Sequence, residues 1–392
     1  MPDKISINSK LKLNALGNSY NIIYIFIIPF LLPLFREQFH INYVQAGLIL
    51  TIHVALRSIF SLLFGYLGDQ YDKRAIIAGG FVFSSIFLGG LIWANNINTI
   101  IAFLLLLAIG VSTFTPLAFA IVRENTKTHQ RGHYLSLFSA AGTGGLVIAS
   151  ILFGFFVRMW GWKITCFLLS LPGYWLAYAY LKSKKGKKNH KAEAERKIKK
   201  SYVYLFFASL GFRSLGDWAI LSFLPIYATE YIGLKPEISA WIIAINFTGE
   251  FLGNLISSRI IDKNSSLILA LSATISVTFI IIAITLIAQP IIIVLLVGIL
   301  GILQGIYFPS QNTWLTFIAP LNCQGRMFGR SSFVQGFSAT IAPALYGWIA
   351  DQAGLICAYR FAAVPFSISF ILYGIIYILA SRSNRVLSTR KI

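Results

Sequence analysis

Charge is what this sequence has least of. Only 12% of its 392 residues are charged, about half the usual share of roughly 25% in soluble domains. Acids are scarcer still, with 13 Asp and Glu against 33 Lys and Arg. Cysteine is nearly missing: Cys166, Cys323 and Cys357 lie scattered on apolar segments without C-x-x-C spacing. That excludes a disulfide framework and a thiolate metal centre, and leaves small buried residues as the plain reading. His40, His129, His133 and His190 fall in or near loops without metal-ligand spacing. No metal and no cofactor is therefore expected.

What is abundant is apolar surface, at 57% hydrophobic residues. A water-soluble fold could not bury that share, so the chain reads as a polytopic membrane protein. Apolar runs of spanning length fall at 15–35, 44–66, 75–94, 98–122, 133–157 and 163–182. They resume at 202–229, 238–260, 266–287, 290–318, 327–350 and 357–380. Each approaches the ~20 residues that a helix needs to cross a bilayer. The expected fold is all-α and integral to the membrane, with twelve transmembrane helices. Lys4, Lys10 and Lys12 precede the first run, which has no cleavage site and reads as an uncleaved first helix.

The two sets of runs are separated by a segment too polar to pack into a core. Lys182, Lys184, Lys185, Lys187, Lys188, Lys191, Arg196, Lys197, Lys199 and Lys200 crowd it, against Glu193 and Glu195. The chain thus divides into an N-terminal six-helix half at 1–181, a basic cytoplasmic linker at 182–200 and a C-terminal six-helix half at 201–392.

Basic residues also set orientation. With the N-terminus inside, only Arg36, Arg158, Lys163, Lys235 and Arg360 fall outside, and Arg57 and Arg213 fall within spans. Every other Lys and Arg is cytoplasmic, a strong positive-inside bias. Both termini are expected in the cytoplasm and the protein in the cytoplasmic (inner) membrane. In a soluble chain a net charge of +20 would point to nucleic acid. Here topology accounts for it, so no nucleic-acid partner is expected. The central loop can touch anionic lipid. The chain reads as a monomer.

The halves repeat. Gly154 and Gly161 at the end of span 5 match Gly347 and Gly354 at the end of span 11. Leu32-Pro33-Leu34-Phe35 matches Leu224-Pro225-Ile226-Tyr227, and Gly65-Tyr66-Leu67 matches Gly253-Asn254-Leu255, at nearly constant offset. Internal repeats of this kind are common in transporters.

The loop Gly65-Tyr66-Leu67-Gly68-Asp69-Gln70-Tyr71-Asp72-Lys73-Arg74 joins spans 2 and 3. Gly65 permits close helix approach, Asp69 suits a helix N-terminus, and Lys73 and Arg74 anchor the cytoplasmic side. Its spacing resembles the signature loop of the major facilitator superfamily of secondary transporters. Gln70 and Tyr71 stand where that family has a basic residue and often a glycine. Gly161-Trp162-Lys163 and Ala342-Pro343-Ala344-Leu345-Tyr346-Gly347 resemble further family elements. The span-4 arginine of many members is absent, and Gly142-Thr143-Gly144-Gly145 only echoes the antiporter glycine series, with no proline following. Phe114-Thr115-Pro116 with Arg131-Gly132 and Ser136-Leu137-Phe138 is similar to the fosmidomycin-resistance-like efflux branch.

Ionisable groups deep in a span are costly, which makes each a candidate for function. Asp217 and Glu250 are the acids placed there; Arg57, Arg213 and His53 are the basic or titratable ones. Arg213 and Asp217 lie four apart on span 7, on one face, as an internal ion pair or as a substrate or proton site. Glu250 sits in Gly249-Glu250-Phe251-Leu252-Gly253 with no partner near in sequence. An isolated carboxyl in apolar surroundings is costly to ionise, which suits a proton carrier. His53 and Arg57 share a face of span 2, where Arg57 suits an anionic group. Gln304, Tyr307 and Gln311, with Asn312 beside them, form a polar face on span 10; Tyr20, Asn21 and Tyr24 form one on span 1. In the family resembled, spans 1, 4, 7 and 10 line the central cavity, so the resemblance puts both faces there.

The reading that results is a secondary transporter, not an enzyme, moving a small organic solute by alternating access, with proton-coupled efflux as the expected mode. Gly65, Asp69, Lys73 and Arg74 would form a cytoplasmic latch. The alternative is an importer of an anionic nutrient or metabolite that uses Arg57 and Arg213, and a non-transporting sensor is a remoter one. A membrane enzyme would need acid pairs or metal clusters that the short outer loops do not offer.

Overall fold

The computed structural model describes residues 9–41, 43–183, 200–231, 233, 236–262, 265–287, 289–320 and 323–382. The central basic linker expected at 182–200 lies almost wholly outside them. Among the described residues all regular structure is helical.

The first half contains α1 (Ser9–Phe39), α2 (Tyr43–Gln70), α3 (Lys73–Gly90), α4 (Ile97–Ser112), α5 (Phe114–Asn125) and α6 (Arg131–Lys182). The second contains α7 (Lys200–Glu230), α8 (Pro236–Ile260), α9 (Ser266–Leu286), α10 (Pro290–Ile318), α11 (Gln324–Ala353) and α12 (Leu355–Arg382). All twelve expected spans are helical. The fourth is α4 continued by α5, which follow one another through Thr113. The fifth and sixth run together as α6, which breaks at Gly161 (φ 78°, ψ 165°). Among the described residues, eight helical stretches are long and apolar enough to cross a membrane on length and composition alone. The helices α7, α8 and α11, which carry Arg213, Asp217, Glu250, Arg326 and Arg330, are not among them.

Backbone geometry repeats between the halves as the sequence does. Among the described residues, those with positive φ are His40 (φ 52°), Gly161, Gly233 (φ 73°) and Gly354 (φ 87°). His40 and Gly233 follow the first helix of each half, and Gly161 and Gly354 separate its last two spans. Glycine takes positive φ without strain, and Gly161 and Gly354 do so at corresponding junctions of the two halves. After the first of these turns, Trp162 donates from Nε1 to Gln38 Oε1 at 2.7 Å, and its ring meets Phe35 edge-on. The Gly-Trp-Lys element thus fastens α6 to the end of α1.

Two compact units can be distinguished. One draws on residues within Met1–Lys127, Ala141–Ala192 and Asn322–Gly329; the other on residues within Thr128–Ala140, Glu193–Leu321 and Arg330–Ile392. In the first unit α4 packs against α2 and α3, and α1 against α5. In the second, α8 packs against α10, α7 against α12, and α9 against both α10 and α12. Its core gathers Tyr227, Val277, Ile281, Leu300, Tyr346, Tyr359 and Phe366. Apolar side chains also cover the outside, among them Ile151, Phe155, Trp175, Phe279, Ile291 and Ile371. Such a surface suits lipid, where the backbone must satisfy its own hydrogen bonds within helices.

Without water to drive helices together, close backbone packing does so. The α8–α10 crossing shows how. A Cβ on Gly249 would strike the carbonyl of Gly298, one on Gly301 that of Asn246, and one on Gly305 that of Glu250. Small residues on both helices bring the backbones into contact, and this crossing fixes Glu250 against α10.

Candidate functional site

The second unit holds a polar cluster built around Arg213. Four residues on, Asp217 Oδ1 accepts from Arg213 Nη1 at 2.5 Å. The same oxygen accepts from Gln304 Nε2 of α10 at 3.1 Å. The guanidinium lies 4.4 Å from the ring centre of Tyr307 and 4.3 Å from that of Phe366. Contacts of this kind are worth about 0.5–2 kcal/mol each. Tyr307 and Tyr373 hydroxyls are 3.0 Å apart, which ties α10 to α12. The Arg213 side chain is 1% exposed and that of Asp217 22%, so the pair is buried at its cation and open at its carboxylate.

Below this, Ser214 Oγ donates to Gln335 O of α11, and Gln311 Nε2 donates to Gln335 Oε1 at 3.2 Å. The polar face of α10 foreseen from sequence is therefore assembled with α7 and α11. Asn312 instead donates back to Phe308 O within its own helix.

Glu250 is half-buried and makes no ion pair among the described residues. Gly301 and Gly305 of α10 seat the Glu250 backbone, and Gln304, between them, binds Asp217. The two acids read as deep in spans thus share one neighbourhood, joined through α10.

In the first unit, His53 is buried and its Nδ1 lies 3.0 Å from Leu104 O of α4. A carbonyl can only accept, so Nδ1 carries the proton, and Nε2 has no partner among the described residues. Arg57, one turn on, is half-buried and makes no ion pair among the described residues. Asn21 is buried, and its Nδ2 has no partner among the described residues. Tyr20 donates to Leu169 O; Tyr24 bonds Ser85 and Ser170 O and is fully buried. Those two tyrosines join α1 to α3 and α6, which is helix-to-helix work.

The signature loop has its own geometry. Asp69 Oδ1 accepts from Gly325 N at 2.7 Å and Oδ2 from Arg326 N at 3.0 Å. Arg326 Nε adds a contact at 3.3 Å. These are the first free N–H groups of α11, where a negative charge meets the positive end of the helix dipole. Gly65 makes the approach possible: a Cβ there would collide with the Gly325 carbonyl, and one on Gly329 with that of Ser61. Lys73 and Arg74 do not join this clamp. Lys73 pairs with Glu124 at 2.8 Å; Arg74 pairs with Asp72 at 2.6 Å and donates to Ser183 O. They brace the loop against the ends of α5 and α6.

The repeat-related position is wired differently. Ser257, in place of Asp69, donates to Gly305 O at 3.0 Å. Gly132, which opens α6 as Gly325 opens α11, sits against Ile261 O.

The Major Facilitator Superfamily model matches residues 15–329 and 205–391. The chain belongs to the major facilitator superfamily. It is similar to proteins named "Proton-coupled antiporter flippase LtaA". That of Staphylococcus haemolyticus is 26% identical, covering 96% of this chain and 98% of its own. That of Staphylococcus saprophyticus is 24% identical, covering 95% and 98%. Among solved structures, the superfamily transporter FucP shares the fold with a TM-score of 0.75 at 16% identity, over 94% of this chain and 98% of that one. This is therefore an integral membrane transporter and not an enzyme.

Gln335, Phe366 and Tyr373 were not foreseen as site residues. Gln335 could have been found as a polar side chain inside an apolar span. Nothing in sequence marks Phe366 or Tyr373, since an aromatic residue in a membrane helix is ordinary until its neighbour is known.

Proposed function

We propose that this chain is a proton-coupled antiporter that moves an amphipathic solute outward by alternating access. In this reading it sits in the cytoplasmic membrane with both termini inside. The observation that carries it is the α7–α10–α8 arrangement: Asp217 is held by Arg213 and Gln304, while Glu250 stands beside it, half-buried and unpaired. A carboxyl that takes up and releases protons needs access to water and freedom from a fixed cation. Glu250 is half-buried and makes no ion pair among the described residues, whereas Asp217 already accepts from a cation and a second donor. Glu250 is then the proton carrier and Asp217 its fixed electrostatic neighbour.

The relatives' printed name supports proton coupling, antiport and, through the word flippase, a lipid-like solute for this chain. The two halves act as the moving bodies, joined by the basic linker. Gly65 and Asp69 act as the latch on α11, with Lys73 and Arg74 as its braces. A cap of this kind contributes up to about 2 kcal/mol. That biases a two-state equilibrium by a factor of roughly 30, enough to favour one state and weak enough to release.

A second reading, uptake of an anion, is favoured by one observation: Arg57 is half-buried without an ion-pair partner among the described residues. One experiment separates them. Cells with and without the gene are challenged with a panel of toxic amphiphiles and of toxic anionic nutrient analogues. Raised tolerance to amphiphiles, lost in Glu250→Gln, is the expected result. Heightened sensitivity to anionic analogues, lost in Arg57→Gln, would replace efflux with uptake.

A further inference from the structure

The Arg213 guanidinium has five N–H donors, and most of them are buried without a hydrogen-bond partner among the described residues. Asp217 occupies Nη1; Nε and Nη2 have no hydrogen-bond partner among the described residues. The rings of Tyr307 and Phe366 lie against it, and the side chain is 1% exposed. A buried charged donor without an acceptor is costly, because it has given up water and gained nothing. The edge formed by Nε and Nη2 is complete only when an oxygen atom occupies it.

The charges around it decide which kind of oxygen. Asp217 already neutralises Arg213, and Glu250, on the neighbouring α8, can add only negative charge. An anion brought to this edge would put a second or third negative charge beside one cation in a medium of low dielectric. An uncharged acceptor would fill the empty donors with no such penalty. We propose that this edge of Arg213 is a binding subsite for an uncharged oxygen acceptor on the transported amphiphile, of the ester-carbonyl class. The inference rests on the antiporter reading for its amphiphile, and it assigns to Arg213 a role opposite to that of an anion receptor.

The test uses the full-length protein in detergent and reads its thermal midpoint with three short-chain probes. Dihexanoylglycerol carries two ester carbonyls, dihexylglycerol ether carries none, and dihexanoyl phosphatidic acid carries the carbonyls and a negative charge. The ester should bind about tenfold more tightly than the ether, the worth of one or two charge-assisted hydrogen bonds. Arg213→Gln should bring the ester down to the level of the ether. Asp217→Asn, which leaves Arg213 uncompensated, should reverse the charge preference, so that the phosphatidic acid becomes the tightest probe. That variant keeps the test decisive should Arg213→Gln fail to fold.

Tighter binding of the phosphatidic acid than of the ester by the wild type would overturn the proposal. So would an ester preference that survives Arg213→Gln, or equal binding of all three probes, the result expected if water fills the edge. Glu250-dependent proton movement, measured separately in proteoliposomes, distinguishes the two readings. If it persists while the ester preference is absent, the subsite fails and the antiporter stands. If the ester preference is present without it, the reverse holds.

Discussion

Asp69 closes the N-terminus of α11 by accepting from Gly325 N and Arg326 N at 2.7 and 3.0 Å. Its side chain is 6% exposed, so water does not compete strongly for those donors. The contact joins residues 256 and 257 positions apart, and it has no acidic equivalent in the second half, where Ser257 binds a carbonyl instead. The clamp is thus a one-sided device.

Replacing Asp69 with Asn keeps one acceptor oxygen and removes the charge. The expected loss is about 1–2 kcal/mol at the helix end, with membrane insertion unchanged. Transport by the purified variant should fall about tenfold while its yield and size-exclusion profile match the wild type. Undiminished turnover would remove the latch from the account.

Glycine substitutions offer a graded test of the same clamp. Gly65→Ala and Gly329→Ala would each place a methyl group on opposing backbone, whereas Gly79 and Gly154 face open space. The first pair should lower transport at least as far as Asp69→Asn. Gly79→Ala and Gly154→Ala should transport normally. Equal effects at all four positions would mean that helix composition, and not the crossing, is being measured.

Much of this was legible in sequence and some was not. Apolar runs gave all twelve helices, because a span must be long and continuous to cross a bilayer. The offset between Gly161 and Gly354 exposed the repeat, because glycine takes positive φ without strain in both copies. Asp69 could be placed at a helix end, but which helix could not be known, since the partner lies so far along the chain. Lys73 and Arg74 read as part of the same latch, and their contacts, Glu124 for one and Asp72 and Ser183 O for the other, leave no mark in local sequence. Asp217 and Glu250 were visible as costly groups; that α10 glycines bring them together was not, because helix pairing leaves no local mark.

The pair formed by Arg213 and Asp217 also separates structure from function. Asp217→Ala would strand a buried guanidinium and should destabilise the protein by up to about 3–5 kcal/mol, and by less to the extent that Asp217 keeps contact with water. The double variant Arg213→Met, Asp217→Leu removes both charges and should recover most of that stability. It should remain inactive. A double variant that is both stable and active would make the pair purely structural.

Backbone strain gives a prediction away from the site. Gly161→Ala forces a side chain into φ 78°, ψ 165°, at a cost of about 1–3 kcal/mol. The thermal midpoint should fall, and transport by the surviving folded fraction should be unchanged. An unaltered midpoint would show that the junction of the two spans relaxes freely.

The most direct measurement is lipid movement under a pH gradient. Protein is reconstituted into vesicles containing fluorescent NBD-labelled acylglycerol lipids, and dithionite reports how much label has changed leaflet. For the wild type, an imposed pH gradient should drive label against its equilibrium distribution, with a matching proton flux seen by a trapped pH dye. Glu250→Gln should abolish both the gradient dependence and the proton flux. Movement that is indifferent to the gradient, or a gradient response that Glu250→Gln leaves intact, would contradict proton-coupled antiport through Glu250.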